Sequence, residues 1–175
     1  MPYVTLLQLA EMPGALELAQ VASDKHQRPV AAELMELTLR AGDRGGYPAA
    51  EVVHADAAAG RIAQAIAEAD AVIDGYLGRR YTLPLPNPPA ILVTWSRAIV
   101  RYKLHNDRIT DDRTDPVARD YRDAMKFLQL IAEGKFSLGI EDPTIGGSAL
   151  GEILIDPGHK VFGRGVMPYC WGRSP

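Results

Sequence analysis

ADAVIDGYLGRRYTLPLPNPPAILVTWSRAIVRYKLH, residues 69–105, places a helical signal on either side of a stretch that cannot be helical. Upstream, Ile62, Ile66, Ala69, Ile73 and Leu77 recur at steps of three and four, while Arg61, Gln64, Glu68 and Asp74 fall on the other side. Such a stripe must be buried. Gly75 and Gly78 weaken the last turns, and the prolines of LPLPNPP each remove a donor and push the preceding residue toward extended backbone. Pro88 and Pro89 suit the first turn of a second helix, in which Leu92, Trp95, Ile99 and Tyr102 form the apolar stripe. Arg97, Arg101, Lys103 and Arg108 lie mostly off it. Two helices joined by a stiff strap decide the fold class: mainly α.

Outward from this seam the punctuation continues. Asp56 is placed to cap the helix that carries the upstream stripe. Before it, Ala31 to Arg40 has helical composition and Gly42 to Pro48 reads as a turn-rich loop. At the start, Thr5 with Gln8 three residues on forms a capping box for a short helix interrupted by Pro13 and Gly14, and Ala15 to Ala22 forms a second piece. Downstream, Asp115 before Pro116 opens a helix with Tyr121, Met125, Leu128 and Ala132 on one face, and Gly134 closes it. The chain after Gly134 is rich in glycine and proline, with short β-like runs at Glu152 to Ile155 and His159 to Phe162. The expectation is a small helical bundle of about five helices with extended loops and an extended, β-like C-terminal tail. The divisions are a helical domain over 1–134, containing a variable, insertion-like segment at 31–55, and an arm over 135–175.

Composition bounds the function. At 175 residues and 47% hydrophobic content the chain can bury a core. A net charge of -3 with pI about 5.8 argues against a dedicated nucleic-acid binder, which needs a basic footprint. The single cysteine, Cys170, leaves no internal disulfide. MPYVTLLQLAEMPG lacks the features of a signal peptide, and no apolar run reaches the roughly 18 residues that span a bilayer. A soluble protein made in the cytosol is expected.

Catalytic motifs are hard to find. His26, His54, His105 and His159 are scattered, without a metal-binding pair such as HExxH. No serine sits in a GxSxG elbow, and the glycine-containing GRGVMP and TIGGSALG do not join a strand to a helix as a phosphate loop must. DRITDDRTD, residues 107–115, lacks the glycine and closing glutamate of a calcium loop and reads as a solvated connection. The arginines form the one charge feature. Arg79, Arg80, Arg97, Arg101, Lys103 and Arg108 concentrate at the seam and on the helix after it, either as a strip for phosphates or a neighbour's acids, or as a solvated face with stems lying on apolar surface.

With the seam ADAVIDGYLGRRYTLPL, then AIVRYKLHNDR, then ARDYRDAMKFLQLIAEGKFSLG in this order, the chain resembles the small head-tail connector (adaptor) proteins of Mu-like phages and prophages. The opening MPYVTLLQLAE and the terminal VFGRGVMPY resemble theirs too. The likeness covers Met1 to Ala22 and Glu51 to Gly139, whereas Ser23 to Ala50 and the tail around Asp142 to Gly151 depart from it.

That resemblance implies a structural protein of the virion neck, synthesised in the host cytoplasm, with no enzyme activity, cofactor or metal. It implies a homo-oligomeric, twelve-fold (dodecameric) ring beneath the portal protein, meeting a tail completion or tail terminator protein. Genomic DNA would pass through the lumen without sequence specificity, and no membrane is involved. On this basis Tyr76, Arg79, Arg80 and Tyr81 are candidate inter-subunit or portal contacts, with the two tyrosines as amphipathic anchors. So are Phe162, Met167, Tyr169 and Trp171 in the tail, which offers no helix to bury them. Arg97, Arg101 and Arg108 are candidate lumen or interface residues. Rival readings are another neck role such as tail completion, a cytosolic helical DNA binder using the Arg97 to Arg108 helix, and a small enzyme.

Overall fold

The computed structural model describes residues 2–140 except 25, 106 and 112. The β-like runs, Cys170 and the aromatic tail residues Phe162, Met167, Tyr169 and Trp171 lie outside the described residues. Within them the chain is helical, with no strand: one short turn of helix and five helices of eight residues or more.

Helix α1, Leu6–Leu9, starts at the expected capping box, in which the Gln8 N–H donates to Thr5 Oγ1 and the Thr5 N–H to Gln8 Oε1. A wide turn over Ala10–Gly14, containing a cis Met12–Pro13 bond, passes into α2, Ala15–Ala22. Helix α3, Ala32–Leu39, ends where Ala41 adopts φ 53° and the Gly42 N–H returns to the Leu37 carbonyl.

Helix α4, Ala49–Leu77, is the longest, at 29 residues and about 44 Å. It starts seven residues before Asp56, which corrects the expected cap. Ala49, Ala50 and Glu51 are strong helix formers directly after Pro48, the start has no side-chain cap, and Asp56, inside the helix, pairs instead with Arg44. The expected stripe is otherwise in place: Ile62, Ala69, Ile73 and Leu77 are fully buried, and Ala55 and Ala58 extend it upstream.

Helix α5, Ala90–His105, begins immediately after Pro89 and buries Leu92, Trp95, Ile99 and Val100. Helix α6, Pro116–Ala132, is capped by Asp115, whose carboxylate accepts from the Val117 and Ala118 N–H groups. Gly134 at φ 77° ends it, and the Lys135 N–H bonds back to the Leu130 carbonyl.

Helix α4 is the spine. It packs on α2, α3, α5 and α6, and α5 and α6 pack on each other. The strap between α4 and α5, with a cis Leu83–Pro84 bond, lays Leu83 and Leu85 against the core. Beyond α6, Leu138 and Ile140 also rest on it.

Candidate assembly surface

The seam after α4 folds more inward than its sequence suggests. Gly78 caps the helix, its N–H bonding the Asp74 carbonyl, and a Cβ there would lie 3.0 Å from that carbonyl, a fit tight enough that the backbone would have to give. Gly75, by contrast, has open space around it and is not required for close approach within the chain. Tyr81 is a core residue rather than an outward anchor. Its ring is 4% exposed and its hydroxyl accepts the Leu138 N–H at 3.1 Å, tying the segment after α6 to the end of α4. Arg80 reinforces that tie by donating to the Phe136 carbonyl at 3.1 Å, with its guanidinium 6.0 Å from the Tyr81 ring centre. Tyr76 is half-buried against the core. Arg79 alone of the two arginines is exposed, with no hydrogen bond or ion pair to any described residue.

The basic helix is also turned to internal use. Arg101 grips Glu17 of α2 through two hydrogen bonds of 2.8 and 3.0 Å, and His105 Nε2 lies 3.5 Å from the same carboxylate. Lys103 bonds Glu68 of α4 at 2.8 Å, Arg108 donates to the Gln20 carbonyl, and Arg97 donates to the Met12 sulfur at 3.2 Å. Arg97, Arg101 and Arg108 therefore fasten α5 and its C-terminal end to the α1–α2 region, and each has a partner within the chain. Helical spacing told which side of α5 they occupy but not that α2 and α4 bring acids and carbonyls to that side.

What sequence reasoning missed is aromatic. Trp95 stacks nearly parallel on Phe127 at 5.8 Å between ring centres, and Phe136 closes the cluster at 6.4 Å from Trp95 and 5.6 Å from Phe127. Phe127 and Phe136 are 39% and 38% exposed, with Ile91 on the same helix as Trp95 at 42%. Beside them a cleft of about 290 Å³ runs between α5 and α6, walled by Met12, Trp95 and Phe127 and edged by Arg97, Asp120 and Asp123. A signal existed in the dipeptides Lys126–Phe127 and Lys135–Phe136, the first of which puts an aromatic next to, not on, the α6 stripe.

A second apolar surface lies along α4. Residues from the chain start pass over it, held by a clip in which the Tyr3 hydroxyl donates to Asp74 at 2.5 Å and the Tyr3 N–H to Asp70 at 3.2 Å. The groove is shallow and open, about 760 Å³, and Leu7 on its wall is 51% exposed. Burial pushes the Asp70 carboxyl above the usual carboxylate range, more than the Tyr3 N–H lowers it. Burial, then the bond to Asp74, likewise raises the Tyr3 phenol.

A raised folded-state pKa on Asp70 means that its contribution to stability is fully present in acid and lost as pH rises through that pKa. Asp70→Asn keeps an oxygen for the Tyr3 N–H and carries no charge to desolvate. It is expected to be more stable than the parent at neutral pH and to lose this advantage in buffers more acid than the ordinary aspartate range, as read by paired urea melts.

Among the described residues no three His, Cys, Asp or Glu side chains converge as metal ligands, and no helix is long and apolar enough to cross a membrane. The surfaces of this body are suited to adhesion: two apolar areas, each bordered by charge.

Comparison with known proteins shows what the chain is similar to. The family model described as "Bacteriophage Mu, Gp36" matches residues 3–151, running through Ser23 to Ala50 as well as the seam. The Mu-like prophage FluMu protein gp36 of Haemophilus influenzae is 35% identical over 104 residues, 59% of this chain and 71% of that protein. Gene product J of Escherichia phage Mu is 33% identical over 104 residues, 58% of this chain and 70% of its own length.

Proposed function

We propose that this chain, which belongs to the Bacteriophage Mu, Gp36 family, is a structural protein of the virion neck, a connector subunit that joins the DNA-filled head to the tail. The observation that carries this reading is the pair of exposed apolar surfaces on a fully helical body from a Mu-like phage family: the Trp95–Phe127–Phe136 cluster and the groove along α4. Exposed apolar area of this kind marks a protein-binding surface. The resemblance of the seam and α6 to small head-tail connectors supplies the specific role, a closed ring of copies between portal and tail.

Arg79 is the seam residue this role can use, because it projects without a partner among the described residues. Arg80 and Tyr81 serve the fold that presents it.

The reading is tested by locating the chain in finished particles. Antibody raised against the body formed by residues 2–140 is expected to decorate intact Mu-like virions, or their gently opened necks, at the head-tail junction. Decoration over the capsid faces or along the tail would overturn the connector role.

A further inference from the structure

Of the methionines among the described residues, Met12 alone stands well into solvent. It is 59% exposed, whereas Met35 is fully buried and Met125 of α6 is half-buried. Met12 sits on the wide turn between α1 and α2, where its backbone, at φ -150° and ψ 116°, leaves the helical region. Its side chain walls the cleft between α5 and α6, and its sulfur accepts from Arg97 Nη1 at 3.2 Å. A thioether is a weak acceptor, yet this is the one hydrogen bond that Arg97 makes to a described residue. Arg97 Nε is buried without a partner, and Asp120 and Asp123 edge the same cleft without pairing with the guanidinium. A cation with unfilled donor capacity thus lies against an accessible, oxidisable sulfur.

We propose that Met12 is a site of peroxide oxidation and that Arg97 receives the oxygen gained there. A sulfur lone pair attacks one oxygen of hydrogen peroxide; the S–O bond forms as the O–O bond breaks, sulfur loses two electrons, and the remaining oxygen leaves as water. The product is methionine sulfoxide, a polar side chain in place of an apolar one. Its oxygen is a much stronger acceptor than the thioether, so a weak N–H···S contact becomes a charge-assisted N–H···O bond. Space allows the change. The methionine side chain is unbranched and adaptable, and the cleft beside it has about 290 Å³, so the sulfur can withdraw by the length of the new bond while the backbone stays in place. Oxidation then tightens the tie between the α1–α2 turn and α5, and turns one wall of the cleft beside Trp95 and Phe127 from apolar to polar. Met35 is shielded by the core and meets peroxide only when the chain opens. None of this depends on the neck role.

The test treats the purified full-length chain with limiting hydrogen peroxide, locates the added oxygen by peptide mass spectrometry and follows thermal melts. Among Met12, Met35 and Met125, Met12 is expected to gain its oxygen first, with an upward shift of the melting midpoint. Met12→Leu keeps an apolar wall without an oxidisable sulfur and is expected to show no shift. Arg97→Ala is expected to oxidise at Met12 without the upward shift, because no guanidinium is present to take the oxygen. Should Arg97→Ala lack the helical circular dichroism of the parent, Arg97→Leu, which retains an apolar stem, takes its place.

Oxidation of Met35 or Met125 ahead of Met12 would overturn the site. A parent midpoint that stays level or falls, an equal rise in the folded Arg97 variant, or a rise that persists in Met12→Leu would overturn the pairing of the sulfoxide with Arg97.

Discussion

Trp95→Ala is expected to lower the unfolding free energy by about 3–5 kcal/mol, the range for removing a buried indole from a core. Trp95 is 6% exposed, belongs to the stripe that seats α5 on its neighbours, and stacks on Phe127 of α6 and against Phe136 beyond it. Its loss removes contacts on both sides of the α5–α6 interface at once, and the exposed phenylalanines lose the surface that orients them. For a chain of this length the midpoint of a thermal melt should fall by roughly 2–4 °C for each kcal/mol. Urea melts with an unchanged slope would read the loss as stability alone. A change below about 1 kcal/mol would mean that Trp95 does not hold the two helices together as described.

Arg101→Ala is expected to cost about 2 kcal/mol, within the 1.5–3 kcal/mol typical of hydrogen bonds to charged groups. The guanidinium makes two bonds to Glu17, and both side chains are about one quarter exposed, so the deleted partner leaves a carboxylate with little water to replace it. His105 beside the same carboxylate offers a partial substitute, which keeps the loss below that of a fully buried pair. A double-mutant cycle with Glu17→Gln separates the pair from the packing of the arginine stem. Assembly of the folded variant should be near normal, in contrast to a lumen-facing or interfacial arginine, for which stability would hold and assembly would fail.

Those two residues also show what the sequence could and could not tell. Local chemistry was legible wherever the deciding groups are neighbours in the chain. The Thr5–Gln8 capping box, the Asp115–Pro116 start and the Gly134 stop all act within a few residues, and each stands as expected. The stripes of α4 and α5 were legible because a 3.6-residue period is a local pattern with a tertiary consequence, whereas on α6 the buried line runs through Ala124, Leu128 and Ile131, with Tyr121, Met125 and Ala132 half-buried at its edge. Helix α4 starts at Ala49 after Pro48 with no side-chain cap, a start that capping chemistry in the sequence does not mark.

Side chains whose partners lie far away in sequence were the harder part. Arg101 is 84 residues from Glu17, and Tyr81 is 57 from the Leu138 N–H it accepts. Composition marks such residues as amphipathic or basic but says nothing of which element arrives beside them. Hence the basic strip, open in sequence to either an external partner or a solvated face, meets acids and carbonyls of its own chain through Arg101, Lys103 and Arg108, and Tyr81, expected as an amphipathic anchor, holds the segment after α6. The reverse error hid the aromatic cluster. Phe127 stands at three- and four-residue steps from Ala124 and Ile131, on a line beside the one expected for α6, and the packing of α5 against α6 shows that it gathers with Phe136 on Trp95 at the surface.

The central claim is that the chain joins head to tail, and electron microscopy of lysates from a Mu-like phage with this gene interrupted tests it most directly. DNA-filled or leaking heads beside complete, unattached tails are expected, with joined particles restored when the gene is supplied in trans. Joined, infectious particles in the absence of the gene product would contradict the account.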